Sequence, residues 1–363
     1  MRSSLVALIL CVATIARSTA QDLKPGFDAD EYATMLRIMT WQVDAAFRGT
    51  TPKETAYKWI YRSPAMGLHN KWDLWLNTNK TTIIVNLRGT TFDTDSWLEN
   101  FFSAMVPATG SLKLDSNYTF NYKLAADPKA MVHVGWLIGA GSMAPDIVAR
   151  IKEYYGRGVK QVIVVGHSQG GALAFLITSH LHYLMENGGL PADIVIKSYC
   201  SAAPKPGNLY YAYDFDYITR GGWALTVVNA ADWVPETPVS IQTPSDFNKL
   251  NPFNPAGQQT QKMKRVERWA LKYAYGRLAK TSRKAQRKQE KYLGRVVFKQ
   301  VKKYMPGLEK PKFAHCNNYM RAGLPIVLQP DAEYYAKYPD TGSNVFRHHL
   351  FEPYYYLVKK IYK

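Results

Sequence analysis

A serine framed by glycines is the first point in this 363-residue chain at which chemistry can be read. Gly166-His167-Ser168-Gln169-Gly170 follows the apolar run Val162-Ile163-Val164-Val165. It precedes Ala172, Leu173, Leu176, Ile177, Leu181 and Leu184, which recur at helical spacing. A strand, a G-x-S-x-G pentapeptide and a helix together lift a nucleophilic hydroxyl onto a sharp turn. The flanking positions must be glycine because the turn brings backbone atoms to where a Cβ would stand. The following helix aims its first N–H groups and its positive dipole end at a developing oxyanion, which makes the Gln169 N–H one expected donor. A serine hydroxyl is a weak nucleophile and needs a general base, itself oriented by an acid. With the order nucleophile, acid, base, the acid belongs just past a strand end, where Asp232 follows the run 225–229. Beyond it the chain offers only His315, His348 and His349 as bases.

The elements that must position these groups are legible as alternating strands and helices. Runs at 82–87, 161–165, 193–200 and 225–229 are β-branched and apolar, and two of them stop at glycine-containing turns. Helical spacing at 143–155 and 170–185 separates them. Such alternation predicts a mostly parallel sheet covered on both faces, with functional loops at the carboxyl ends of its strands. An earlier helix is expected to begin at Asp28 or Asp30, to carry Tyr32, Met35, Leu36 and Met39 on one face, and to end near Phe47 and Gly49. The stretch 259–304 breaks the rhythm. Val266, Trp269, Ala270 and Tyr273 form one apolar stripe, and Leu293, Val297, Val301 and Tyr304 another. Charge fills the interval 279–291, so one long surface helix, or two with a polar break, is expected.

At this point the sequence resembles the class 3 lipase family of the α/β-hydrolase superfamily, over roughly residues 82–354. Val85-Asn86-Leu87-Arg88-Gly89-Thr90 resembles the family's strand and R-G-[ST] turn, which implies Thr90 as the second oxyanion donor. Val132-His133-Val134-Gly135-Trp136 resembles the H-x-G-[FW] segment that lies under the site. Gly166 to Ala172 resembles G-H-S-L-G-G-A. Ala203-Pro204-Lys205-Pro206-Gly207-Asn208 resembles P-x-V-G-N. Residues 227–235 resemble V-x-N-x-x-D-x-V-P, whose Asp, here Asp232, is the triad acid. His349, with Tyr354 five residues on, matches H-x-x-x-x-Y and is favoured over His348 as the base. The resemblance implies an α/β-hydrolase fold and a Ser168–Asp232–His349 triad that hydrolyses carboxylic esters of lipids, either acylglycerols or phospholipids. It also implies a lid beyond the oxyanion turn. Residues 91–107, with Phe92, Trp97, Leu98, Phe101, Phe102, Met105 and Val106, are read as that flap or as ordinary core. Gln169 stands where leucine is usual and Pro206 where valine is common. The interval between Asp232 and His349 is long, and a basic helical insertion at about 258–310 accounts for the excess. A feruloyl-type carbohydrate esterase or an acyltransferase is the alternative on the same scaffold. A non-catalytic binder of anionic polymers is the alternative from another class.

Composition bounds the rest. Hydrophobic residues make up 47% and charged residues 20%, so a core can be buried without disulfide support. Arg2, the apolar run 5–15 and Ser18-Thr19-Ala20 read as a signal peptide over 1–20, leaving one hydrolase domain at 21–363 in a secreted or extracytoplasmic protein. That compartment permits a Cys200–Cys316 bridge, although Cys200 also fits a buried free thiol. Sequons occur at Asn79 and Asn117. The net charge is +18, and residues 261–310 hold 17 Lys or Arg against Glu267, Glu290 and Glu309. Such a segment favours an anionic lipid or cell-wall surface; no nucleic acid partner is expected. His133 is expected to be a buried hydrogen-bonding residue, His167 to support the site from behind, and His180 and His182 to have no chemical role. No metal-ligand spacing is present, so no metal or other cofactor is expected.

Overall fold

The computed structural model describes residues 23–43, 51–54, 56–248, 250–251 and 263–362. The expected signal peptide and the first residues of the basic segment lie outside them. Seven strands build the central sheet in chain order: β1 Tyr57–Arg62, β2 Trp72–Asn77, β3 Thr82–Leu87, β4 Gln161–His167, β5 Val195–Ser201, β6 Ala224–Asn229 and β7 Leu324–Leu328. The first two pairings are antiparallel; from β3 to β7 every pairing is parallel. Strands β3, β4 and β6 are buried along their whole length, as strands covered on both faces must be.

Strand alternation divides the core in two. Ile83, Val85, Leu87, Val162 and Val164 face the layer formed by α3 (Val134–Tyr155), α4 (Gln169–Glu186) and α5 (Leu209–Ile218). Ile84, Ile163, Val165, Leu225 and Val227 face the opposite layer. There α1 (Ala29–Met39) packs with the last helix, α9 (Phe351–Ile361), and the short α8 (Ala332–Lys337). This is the α/β architecture expected, a mostly parallel sheet between helices.

Local signals account for the ends of these elements. Asp28 caps α1 by accepting from Asp30 N and Glu31 N, each at 2.9 Å. The helix stops at Met39 and passes through a 3-10 turn at Thr40–Gln42, short of the expected end near Phe47. Helix α3 begins nine residues before the expected 143, because His133 caps it by accepting from Trp136 N. It also runs through Pro145, whose missing N–H would strand the Gly141 carbonyl one turn back. Tyr118 Oη donates to that carbonyl at 3.2 Å and so replaces the lost bond. The basic segment forms α6 (Arg265–Gln289), a π-helical turn at Glu290–Val296 and α7 (Val297–Tyr304). It is continuous helix, and its irregularity falls on the π-turn rather than in the expected polar interval. Between α2 (Thr94–Phe101) and α3 lie four short strands: Met105–Pro107 and Met131–His133 join Gly207–Asn208 and Tyr319–Met320 in a second small sheet, and Thr109–Lys113 pairs with Thr119–Lys123 as a separate hairpin.

The junction of β4 and α4 is the tightest place in the fold. A Cβ on Gly166 would lie 2.1 Å from the Gly170 carbonyl oxygen, and one on Gly170 would lie 2.2 Å from the Leu87 carbonyl oxygen. Backbone cannot yield as a flexible side chain would. Gly170→Ala should therefore destabilise the protein by at least about 2–3 kcal/mol in urea unfolding, the upper range of overpacking. A Gly170→Ala protein as stable as the parent would show that the elbow does not depend on this approach.

Candidate active site

Ser168 sits between β4 and α4 with φ 61° and ψ −130°, a left-handed conformation that non-glycine residues rarely adopt. The strain is held from both sides, since Ser168 N donates to the Ser201 carbonyl at 3.0 Å and Ala172 N to the Ser168 carbonyl at 3.1 Å. This conformation turns the Ser168 side chain toward a cleft of about 680 Å³, which Thr90, Gln169 and His349 also line. Gln169 is the first residue of α4, where an N–H has no intrahelical acceptor.

Asp232 follows β6, and its carboxylate is fully buried. Oδ2 accepts from His349 Nδ1 at 2.7 Å and from Tyr354 Oη at 2.8 Å, and Oδ1 accepts from Val234 N at 3.0 Å. Burial alone would raise its pKa, but the charge and hydrogen bond of His349, aided by Val234 and Tyr354, leave it below the usual aspartate range. The other ring nitrogen of His349, Nε2, is buried without a hydrogen-bond partner. An imidazole held by a carboxylate at Nδ1 and unpaired at Nε2, on a residue that lines the cleft with Ser168, can take a proton from a serine hydroxyl. His348, the adjacent candidate, turns elsewhere: Nδ1 bonds Tyr334 Oη and Nε2 bonds Asp340 Oδ1, both at 2.8 Å. His315 Nδ1 bonds Glu290 Oε2 at 2.7 Å. Of the three downstream histidines, only His349 pairs with Asp232.

His167 has a larger part than its backbone position suggested. Its Nε2 donates to the His349 carbonyl at 2.7 Å, and its Nδ1 bonds Ser201 Oγ at 2.9 Å. Ser201 Oγ in turn bonds Tyr32 Oη at 2.6 Å. Burial, reinforced by the nearby charge of His349, lowers the His167 pKa to about 3, so the ring is neutral and keeps one donor for the carbonyl. The residue next to Ser168 thus fixes the backbone of the histidine paired with Asp232. No sequence signal linked Tyr32 or Ser201 to the site.

At Thr90, Asn100 Nδ2 donates to Oγ1 at 2.8 Å, which leaves the threonine O–H free to donate. Asn100 Oδ1 accepts from Trp136 Nε1 at 3.0 Å, so its amide orientation is determined, and its carbonyl bonds His133 Nε2 at 3.2 Å. His133, stacked on Trp136 with ring centroids 3.6 Å apart, has its pKa lowered by burial to about 3. It is the buried hydrogen-bonding residue expected, and the H-x-G-[FW] segment works through Asn100. The segment 91–107 divides between its two readings. Phe102, Met105 and Val106 are core, whereas Phe92 and Phe101 are exposed at the cleft and Trp97 is half-buried against Phe346. His180 is buried against Phe120. Cys200 and Cys316 are both free, and Cys200 is the buried thiol that was the other reading of that residue. Among the described residues no cluster of His, Cys, Asp or Glu could hold a metal.

The geometry can be set beside known proteins. Residues 84–241 match the family model described as Lipase (class 3). That stretch is similar to the class 3 lipase family. It holds Ser168, Asp232, Thr90 and Gln169, and His349 lies downstream of it. The chain is 30% identical over 129 residues to the secreted mono- and diacylglycerol lipase MDL4 of Malassezia globosa, covering 34% of this chain and 40% of the relative. It is also 30% identical over 128 residues to the secreted mono- and diacylglycerol lipase 3 of Gibberella zeae, covering 34% and 39%. The chain therefore spans about two fifths of the length of these curated relatives. Among solved structures, the Lip2 lipase of Yarrowia lipolytica aligns at 18% identity with a TM-score of 0.43, covering 60% of this chain and 77% of that one. The native Rhizomucor miehei lipase propeptide complex aligns at 19% identity with a TM-score of 0.40, covering 59% and 65%.

Where leucine is usual in the lipase elbow, Gln169 brings a buried polar cluster. Ser96 Oγ donates to Gln169 Oε1 at 3.4 Å, and Asn70 Nδ2 donates to the fully buried Glu99 at 2.6 Å. Burial pushes the Glu99 carboxyl up to about 8, although Asn70 and Gln169 pull the other way. A carboxyl with a raised folded pKa binds a proton on folding. Its ionisation penalty therefore erodes stability as pH rises from the unfolded value near 4.5 through about 8. Glu99→Gln, which keeps the shape and removes the titration, should lose markedly less thermal stability between pH 5 and pH 8 than the parent. Parallel losses in the two proteins would mean that Glu99 does not titrate in that window.

Proposed function

We propose that this protein hydrolyses carboxylic esters of lipids, with Ser168 as nucleophile, His349 as general base and then acid, Asp232 as the group that orients and stabilises the imidazolium, and Thr90 and Gln169 as oxyanion donors. The observation that carries the reading is His349: Nδ1 on the buried Asp232, Nε2 without a partner, at the cleft that Ser168 lines. In the first half-reaction Ser168 Oγ attacks the ester carbonyl, and its proton passes to His349 Nε2. The carbonyl oxygen becomes an oxyanion facing the Thr90 hydroxyl and the Gln169 N–H. As the intermediate collapses, His349 returns the proton to the departing alcohol. Water then repeats the sequence on the acyl-enzyme and releases the carboxylic acid.

The apolar character of the cleft argues for a lipid acyl group. Trp97, Phe101, Trp233, Val239, Leu293 and Phe346 line it, and Phe101, Trp233 and Val239 remain exposed. The curated relatives are named as secreted mono- and diacylglycerol lipases. Secretion of this chain, with a signal peptide at 1–20 and one domain carrying a basic insertion at about 258–310, is part of the same proposal. Ser168→Ala should lower ester turnover by about 10⁶-fold without loss of fold. His349→Ala should be nearly as damaging, and His348→Ala should retain activity. An active, folded Ser168→Ala protein, or activity lost with His348 and kept without His349, would reject the assignment.

The anionic-surface reading concerns α6. Val266, Trp269 and Tyr273 are exposed, with Trp269 stacked on Tyr273 at 5.5 Å between centroids, among closely spaced Lys and Arg side chains. An apolar stripe flanked by cations suits an anionic lipid interface, where each basic residue contributes about 1 kcal/mol, screened by salt. Replacing six of the basic residues between 280 and 291 with Gln should weaken binding to anionic vesicles and slow turnover on them, while hydrolysis of a soluble short-chain ester is kept. Unchanged vesicle binding at low salt would leave the helix without this role, and equal loss on the soluble ester would make it a support of the fold.

A further inference from the structure

We propose that Leu293, carried by the π-turn of the basic helical segment, is a specificity-determining residue that sets the acyl-chain length accepted by the cleft. The inference rests on the ester-hydrolase reading above and names the residue that would limit its acyl group.

Leu293 lines the same cleft as Ser168 and His349, although the rest of its helix is largely solvated. The π-turn is what allows this. Gln286, Glu290 and Gly294 are all buried and follow one another at intervals of four. On a regular α-helix each four-residue step turns the face by about 40° away from the body. The wider turn at Glu290–Val296 cancels that drift, so the face stays on the body through Val301, which is fully buried.

The turn is then seated without slack. A Cβ on Gly294 would lie 2.9 Å from Ala104 Cβ and 3.3 Å from the Phe313 ring, so the helix backbone rests on the body. Ala104 N donates to the Leu293 carbonyl at 3.3 Å, immediately after Ser103, which also lines the cleft. Glu290 is clamped by Arg295 Nη2 at 2.6 Å and His315 Nδ1 at 2.7 Å, and Gln286 Nε2 holds the His315 carbonyl at 2.8 Å. His315, offered by the sequence as a base, instead fastens the loop that supports the turn. Leu293 is thus a branched apolar side chain that lines the cleft from backbone held by Ala104 and by the seat of Gly294, in a lining that includes Phe101 and Trp136. A wall of that kind limits chain length sterically, because it cannot retreat before a longer acyl group.

The test is the acyl-length profile of kcat/KM on p-nitrophenyl esters from acetate to palmitate, all dispersed in the same detergent micelles and measured on the full chain. Leu293→Trp should move the optimum to shorter acyl groups and lower the laurate-to-butyrate ratio by about tenfold, within the range that one or two methylenes in a pocket can discriminate. Leu293→Ala should move the optimum to longer acyl groups and serves as the deciding variant if the tryptophan protein does not fold. An optimum unmoved in a folded variant, or moved in the opposite sense, would overturn the proposal while leaving ester hydrolysis standing. A parent protein inert toward every ester would overturn the ester-hydrolase reading itself, and this inference with it.

Discussion

The carboxylate of Asp232 is the constraint around which the rest of the site is arranged. It is fully buried and ionised, and a charge in that position costs several kcal/mol unless it is closely partnered. Its three donors come from separate places: Val234 beside it, His349 117 residues downstream, and Tyr354 on α9. Satisfying them obliges the chain, after α6, α7 and β7, to return to the carboxyl ends of the strands. The aromatic packing of α9 against α1 and the sheet is the apolar counterpart of that return. Tyr32 joins the two, since its ring packs in this layer while its hydroxyl starts the bonds that run through Ser201 and His167 to the His349 backbone.

Much of this arrangement was legible in the residues, for physical reasons that also mark where legibility ends. Strands β3, β4 and β6 are β-branched runs bounded by turn residues and buried on both faces, so composition alone locates them within a residue or two. The elbow is legible because two glycines are demanded by backbone approach, not by side-chain taste. His348 and His349 are adjacent and chemically identical, so residue type cannot tell them apart; the spacing to Tyr354 favoured His349, and in the fold one ring reaches Asp340 and the other Asp232. The early start of α3 was hidden because histidine is an unusual cap, and its passage through Pro145 because the compensating hydroxyl of Tyr118 is remote in sequence.

The basic segment shows how one periodic pattern can have two outcomes. Its two apolar stripes read alike, yet Val266, Trp269 and Tyr273 stay in solvent while Val301 is fully buried and Val297 and Phe298 pack on the core. Periodicity says that a helix has an apolar face, and only the available surface decides whether that face is covered. Near α7 the body offers Phe102 and Phe313 as a socket for the helix. The π-turn is likewise invisible in sequence, because what it corrects is the angular drift of a four-residue repeat, which exists only relative to a fixed surface.

The polar cluster of Asn70, Ser96, Glu99 and Gln169 follows from the same logic as Asp232, with the opposite electrical solution. Asp232 has a cationic partner to meet and stays charged, whereas Glu99 faces Asn70 and Gln169, neither of which can balance a charge, and its carboxyl is driven toward the neutral form. Neutral groups can be shared without the penalty of an isolated ion, so the cluster can tie α2, which carries Ser96, Glu99 and Asn100, to the first residue of α4. Asn100 then holds Thr90, while Gln169 belongs to the elbow itself. An apolar residue at position 169 would pack in that space but could not accept from Ser96. The glutamine therefore links the two proposed oxyanion donors, Thr90 and Gln169, through α2, a link that backbone geometry at the elbow alone does not supply.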